Sequence, residues 1–489
     1  MAALTRNHGV RFLDAGEDAR TVVTPDFSTI SITAAAADAD PDLFPVGVPV
    51  HLYGDEADKI ARLGNAGEIG DAIDDILSEG IAGSILVNRV EKKTTRNEQL
   101  GAIIGDPSTR TGLWALLDAR SRTLVRPGIN LAPGATNDSL IGATLVTMTA
   151  QGTGYSQATA TFASAGALVV PKGTPVIEAG KIIGVQITDA GLGVLGAVTC
   201  TIAGDGTGAT CTVATGAVAN PVALTLAAVS RRVLGIGIVD GPNLDRQAAA
   251  LWAERLRRDD GRYLYAIDPA VRRFAVLDGS DDTILTRPAS TTVAALFAKR
   301  DRERGGPYWS PENQTSTGIV GTARPVSYYD GEIDHEANFL VSTAGVNTFI
   351  EGKELYGSET LSNDTNWRFV NKVRTENAIR ASLPGALRKW RGELFTAHNA
   401  LMIVKTIEAF LDELVGLGPV LGYTRYFDRA LNPNANMRQG ILRIELPHEN
   451  TPIISDMQFG MRPYSPAFDI LAADIQRALG GYDAVSIAA

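Results

Sequence analysis

The residue types that carry most chemistry are sparse in this chain. It has five histidines, His8, His51, His335, His398 and His448, and no two stand four apart, as zinc ligands on one helix face would. Cys200 and Cys211 are the only cysteines, too few for a four-cysteine zinc site or a disulfide framework. Asp334-His335-Glu336 puts three ligand types in a row, but neighbouring side chains point apart on a helix or strand and do not converge on one ion. Gly191-Leu-Gly193-Val-Leu-Gly196 fits the dinucleotide fingerprint as a string. That chemistry needs a helix N-terminus next to receive pyrophosphate, and the segment that follows, Ala197-Val-Thr-Cys-Thr-Ile202, reads as a strand. Gly204-Asp-Gly-Thr-Gly-Ala-Thr210 lacks the lysine of a phosphate loop and reads as a hairpin turn. Asp268 and Ser310 have no evident histidine partner, and no Gly-x-Ser-x-Gly elbow occurs. The reading is a chain that is not an enzyme, with no catalytic, cofactor-binding or metal residues assigned.

Composition narrows the rest. The 489 residues carry 45 basic and 55 acidic side chains, a formal charge of -10, which disfavours a phosphate-neutralising nucleic-acid surface. No run of about 18 apolar residues suggests a membrane span. The start, Met-Ala-Ala-Leu-Thr-Arg-Asn-His8, shows no secretory leader pattern. Hydrophobic residues at 45% and charged residues at 20% are globular values, and the length suggests several domains.

These sparse groups must sit on elements that the pattern locates. Residues 135–217 hold only six charged residues, Asp138, Lys172, Glu178, Lys181, Asp189 and Asp205. No arginine occurs between Arg126 and Arg231. Glycine and threonine dominate, and short alternations such as Val185-Gln-Ile-Thr188 read as strands. Gly152-Thr-Gly154-Tyr-Ser-Gln-Ala158-Thr-Ala-Thr161 aligns with Gly191-Leu-Gly193-Val-Leu-Gly-Ala197-Val-Thr-Cys200, 39 residues later, which suggests a β-rich module of two related halves. On either side, helical and strand patterns alternate. Pro49–Leu52 is a short, mostly apolar run; Gly67–Ser78, Leu113–Ala119, Pro221–Arg232 and Leu244–Arg258 read as helices, and Ile85–Val90, Leu234–Val239 and Tyr263–Ile267 as strands. That alternation implies a mostly parallel α/β sheet interrupted by the module. After Asn313, Asn366–Trp390 and Ala397–Leu414 read as helices, the first broken or kinked by Pro384-Gly385. Leu442–Leu446 and Met457–Met461 alternate at period two and read as half-buried strands.

Several stretches then stand in a telling order. They are His8-Gly-Val10, Phe44-Pro-Val-Gly-Val-Pro-Val50, Asn130-Leu-Ala-Pro-Gly134, Ile236-Gly-Ile-Val-Asp-Gly-Pro242, Pro307-Tyr-Trp-Ser-Pro-Glu-Asn313, Asp334-His-Glu-Ala-Asn338, Tyr356-Gly-Ser-Glu-Thr360 and Trp367-Arg-Phe-Val-Asn-Lys-Val-Arg374. Together, over about four-fifths of the chain, they resemble the contractile tail sheath proteins of myophage-type bacteriophages and related injection systems. The departure is the 135–217 module, which falls where the family places variable outer domains.

The resemblance implies a structural subunit of a virion tail, assembled in the bacterial host cytoplasm. Subunits would form stacked hexameric rings around an inner tail tube and contract to drive the tube through the host envelope. Its partners would be other copies of itself, the tail tube protein, and baseplate and tail terminator proteins, with no cofactor, nucleic acid or membrane insertion. The expected division is an arm at 1–33, a discontinuous α/β core at 34–134 and 218–312, the inserted module at 135–217, an α/β assembly domain at 313–440, and C-terminal strands and arm at 441–489.

Terminal arms would add strands to sheets of neighbouring subunits. The expected arm residues are Val10, Phe12, Ile30, Ile32, Leu442, Ile444, Leu446, Met457 and Phe459; the plainer reading is ordinary internal strands. Arg388, Lys389 and Arg391 are candidates to face an acidic tube, against the alternative of a solvated helix face. Cys200 and Cys211 would pair across a hairpin, stay free, or bridge to a neighbouring subunit. Two other functions compete: a doubly wound enzyme, and an adhesin in which the module binds a surface glycan.

Overall fold

The computed structural model describes residues 22–479, apart from 65–66, 82, 139, 165–166, 168, 192, 195 and 276–282. In chain order, strands β1 (Ile30–Ala35), β2 (Val50–Tyr53), β3 (Ser84–Val90) and β4 (Ile129–Leu131) begin the central sheet. Strands β5 (Leu140–Thr153), β6 (Ala158–Ala163), β7 (Lys172–Glu178), β8 (Lys181–Asp189), β9 (Thr199–Gly204) and β10 (Thr207–Val218) build the insertion. Strands β11 (Ile236–Asp240) and β12 (Leu264–Ile267) complete the central sheet in the order β12-β11-β4-β1-β3-β2. Five strands run parallel and β2 is an antiparallel edge.

Alternation along each strand sends side chains to two helix layers. Ile236, Ile238, Tyr265 and Ile267 pack on one face with helices Glu68–Leu77 and Ala289–Arg304. Val239, Leu264 and Ala266 pack on the other with helices Arg96–Ile104, Pro221–Val233 and Arg246–Leu256. Such a two-sided burial is what the alternating helices and strands of the sequence imply.

One expectation needs correction here. Ile30 and Ile32 belong to no exchanged arm. They lie at 0% exposure in β1, hydrogen-bonded between β3 and β4 of the chain's own sheet. The alternation Thr29-Ile-Ser-Ile-Thr33 looks half-exposed because its polar positions look solvated. They are buried instead. Ser31 Oγ donates to Asn130 Oδ1 at 2.7 Å, Asn130 donates to Ser230 Oγ at 2.9 Å, and Asn88 Nδ2 donates to Thr33 Oγ1 at 3.0 Å. A buried hydroxyl with a partner costs little, so the strand takes the centre of the sheet.

The insertion has its own small core of Val146, Phe162, Val185, Val194 and Val198. A long antiparallel ribbon, β5 with β10, faces a four-stranded sheet in the order β8-β7-β6-β9. The 39-residue repeat is visible in it. Gly152, Gly154, Gly191 and Gly193 all adopt positive φ, and the strands that follow, β6 and β9, pair with each other. Because β9 is a strand, the Gly191–Gly196 string has no helix N-terminus to offer. Asp205 closes the β9–β10 turn by accepting from the Ser156 and Gln157 amides at 2.9 and 3.0 Å. Hydrogen bonds from Ser156 and Gln157 hold its carboxyl down at about 2. Asp240 anchors the base of the insertion, accepting from Gly134 N at 3.2 Å and from Ser290 N and Oγ at 2.8 Å.

Helix Val370–Ala386 carries Pro384 within its last turn and continues as a 3-10 turn, Leu387–Trp390. Pro384 has no N–H to give the Arg380 carbonyl, and the helix ends two residues later. Residues 453–479 form a second unit, taken by itself. It contains helix Pro466–Leu479, which buries none of its residues. No helix among the described residues is long and apolar enough to cross a membrane.

Candidate assembly site

The residues with catalytic types are spent on structure. His335 caps a short helix, its Nδ1 accepting from Asn338 N at 3.1 Å. Glu336 and Asp268 both pair with Arg324, and Ser310 Oγ bonds to Ser358 Oγ. Among the described residues no three potential ligands converge on a metal position.

A different kind of site lies in the C-terminal part. Thr396 caps helix Ala397–Leu417 by accepting from Asn399 N at 3.1 Å. The helix buries Ile407, Phe410, Leu411 and Leu414 against Ala378, Ile379 and Ala381 of helix Val370–Ala386. Val22 and Phe27 join the same cluster, and Thr24 Oγ1 bonds to the Tyr308 hydroxyl at 2.8 Å. The first described residues thus end against this region.

Beside the N-terminal half of that helix runs the 441–446 segment. Two adjoining hollows, of about 570 and 410 Å³, lie between them, the larger of mixed lining and the smaller almost wholly apolar. Leu442 and Ile444 line both, with Phe395 and Ala400 opposite. Leu446 lines the larger and Leu401 and Tyr426 the smaller.

The backbone of this segment is half used. Ile441 N donates to Asn436 O at 3.0 Å, Arg443 N to Asn432 Oδ1 at 2.8 Å, and Glu445 N to Tyr426 O at 3.2 Å. Asn432, 1% exposed, returns a bond to Arg443 O at 2.9 Å. The odd residues are thus tied to one side. The intervening amides and carbonyls of Leu442 and Ile444 have no partner among the described residues. An extended segment with one tied edge, one free edge and an apolar face is a seat for another strand.

This geometry revises the expected strands. Leu442, Ile444 and Leu446 are half-buried in an extended segment that forms one isolated bridge, Tyr426 with Glu445, and no complete ladder. Met457 and Phe459 belong to the second unit and stand in no strand, 69% and 80% exposed. Period-two alternation in both stretches has no second strand among the described residues to complete it. Val10 and Phe12 lie outside the described residues. Arg388 and Arg391 are exposed on the 3-10 turn and the residue after it, and Lys389 stacks 4.8 Å over the Trp390 ring. Cys200 and Cys211 are free thiols in contact, Cys211 Sγ lying 3.4 Å from Cys200 O.

Sequence reasoning did not single out the polar clasp that fixes the end of this segment. His448 Nε2 meets Glu376 Oε2 at 2.8 Å, Lys372 pairs with Glu449 at 2.8 Å, and Asn371 Nδ2 donates to Thr451 O at 2.9 Å. Burial alone raises the Glu376 carboxyl, but His448 and Arg380 outweigh it and bring it to about 2. The bond to Glu376 raises His448 against the opposing effect of burial. Asn371, Lys372 and Glu376 at spacings of one and four were the available signal, hidden in a stretch read only for its apolar positions.

The likeness to known proteins extends over nearly the whole chain. A prophage protein of Pseudomonas aeruginosa (strain UCBPP-PA14), named as a major tail sheath protein, is 29% identical over 447 residues, 88% of this chain and 90% of the relative. The tail sheath protein of Escherichia phage P2 is 22% identical over 467 residues, 93% of this chain and 95% of the relative. Among solved structures, the contracted helical sheath of the anti-feeding prophage aligns with a TM-score of 0.56 at 14% identity, covering 94% of this chain and 99% of that one. The contracted sheath of the extracellular contractile injection system PVC aligns with 0.58 at 12% identity, covering 95% and 99%. At such identities the structures establish the fold alone. No family model matches.

Proposed function

We infer that this chain is a tail sheath protein, a structural subunit of a contractile tail, and not an enzyme. The observation that carries this is likeness to tail sheath proteins over 88% and 93% of the chain. The 94–95% overlap with contracted sheaths supports the fold of such a subunit. The competing readings gain nothing. The module's two aromatic rings, Tyr155 and Phe162, are buried rather than offered to a sugar.

The finer assignments are our reading. Subunits assemble as stacked hexameric rings around a tail tube. The free edge at Leu442 and Ile444, with its hollows, receives a strand from a neighbouring copy. Candidate donors are the N-terminal arm with Val10 and Phe12 and the C-terminal stretch with Met457 and Phe459. Arm exchange tethers the rings by main-chain hydrogen bonds while the domains move as rigid bodies. Arg388, Lys389 and Arg391 face the tube, where such exposed charges steer more than they stabilise. The 135–217 module decorates the outside, and baseplate and terminator proteins cap the ends.

Negative-stain electron microscopy of the purified chain tests the assignment. Hollow, cross-striated tubes are expected. Particles that stay small at every concentration and salt tried contradict it.

A further inference from the structure

The inserted module has a seam that its backbone does not close. Strand β9 pairs only with β6, and β10 only with β5, so the Gly204–Gly206 turn carries the chain from one sheet to the other. No ladder of hydrogen bonds joins β9 to β10. Across that seam stand the chain's two cysteines. Cys200 is paired with Phe162 in one sheet and Cys211 with Met148 in the other. Both line the module's small apolar core, both are free, and both are half-buried, so a small reagent can reach them. Cys211 Sγ already touches Cys200 O, at 3.4 Å.

We propose that Cys200 and Cys211 are a redox pair whose intramolecular disulfide staples the two sheets of the inserted module when the chain meets an oxidised low-molecular-weight disulfide. In the first exchange the Cys211 thiolate attacks one sulfur of R–S–S–R. The proton released in forming that thiolate is balanced by one taken up by the departing R–S⁻, and a Cys211–S–S–R mixed disulfide remains. The Cys200 sulfur then attacks the Cys211 sulfur and expels the second R–S⁻, which takes the Cys200 proton. Two protein thiols are oxidised and one small disulfide is reduced to two thiols. While both thiols are reduced, Cys211 is the more available of the two. Burial and the neighbouring thiol push Cys200 up to about 12, so it supplies little thiolate for the first attack. The gain would come from closing a seam that the hydrogen bonds leave open, with a short loop that limits the entropic share. Nothing in this pairing depends on the sheath reading, so either can fail alone.

The test uses the full chain, purified reduced and then incubated with oxidised glutathione. After acid quench and alkylation, intact mass and peptide mapping are read. The expected product is a monomer that has lost two hydrogens, carries no glutathione, and links the Cys200 and Cys211 peptides. The C200S and C211S variants should each stop as a single glutathione adduct on the remaining cysteine, since neither has a second thiol to resolve it. Oxidation should raise the melting temperature of the wild type and leave C200S/C211S unchanged. A stable glutathione adduct on the wild type, disulfide-linked dimers, or two thiols that still alkylate would each overturn the proposal.

Discussion

Arg374, within the segment read as a helix, becomes part of the core. It is 1% exposed, donates to Asp301 Oδ1 at 2.8 Å, and its guanidinium lies 5.1 Å from the centre of the Phe297 ring. Asp301 is buried as well, and burial pushes its carboxyl up while Arg374 opposes that. Removing one member strands the other charge in the interior. R374A should therefore destabilise the chain by about 3–5 kcal/mol in urea unfolding. The double variant R374M/D301L, which removes both charges, should recover most of it. An unchanged midpoint for R374A would show that the pair is solvated. The sequence offered the residue types here but not their burial. The same limit hid Ser31, Asn130 and Asn88, whose hydrogen bonds make a polar stripe acceptable inside the sheet.

Elements with partners inside the chain were legible; stretches that find none among the described residues were not. Helices Glu68–Leu77 and Pro221–Val233 and strands β3 and β11 follow from periodicity, because each buries a full apolar set within the chain. The 441–446 and 457–461 stretches show the strand period without the ladder. The groove was not legible, since an apolar stripe on helix Ala397–Leu417 reads the same whether it is covered or open. The clasp behind the groove makes a pH prediction. His448 is raised, so its contribution is complete below the ordinary histidine value and is lost as pH rises through the raised one. Glu376 is lowered, so its contribution is present above its ordinary value and is lost as pH falls through about 2. The clasp should hold best at mildly acidic pH and loosen toward alkaline pH. Limited proteolysis after Thr451 should then speed up with rising pH, and E376Q should flatten that dependence. An identical profile in E376Q would remove His448–Glu376 from the account.

For the whole molecule, the insertion joins the α/β core through one ribbon whose ends meet, Val218 pairing with Leu140. Its core of five buried residues is separate from the two clusters that flank the central sheet. The composition change at 135–217 made this module visible in the sequence, and its low charge reflects threonine-rich strands rather than a large interior. Replacing residues 141–217 by a short Gly-rich turn should leave folding and tube formation intact and narrow the outer diameter of the tubes. Loss of tubes would place the module within the assembly contacts.

The free edge at Leu442 and Ile444 is proposed above as the seat of a strand from a neighbouring copy. A cryo-electron microscopy map of the assembled chain tests it most directly. The expected density is a strand from another subunit hydrogen-bonded along Leu442–Leu446, its side chains filling the hollows beside Phe395 and Leu401. A map in which that edge faces solvent, or is closed by the subunit's own residues, would contradict it.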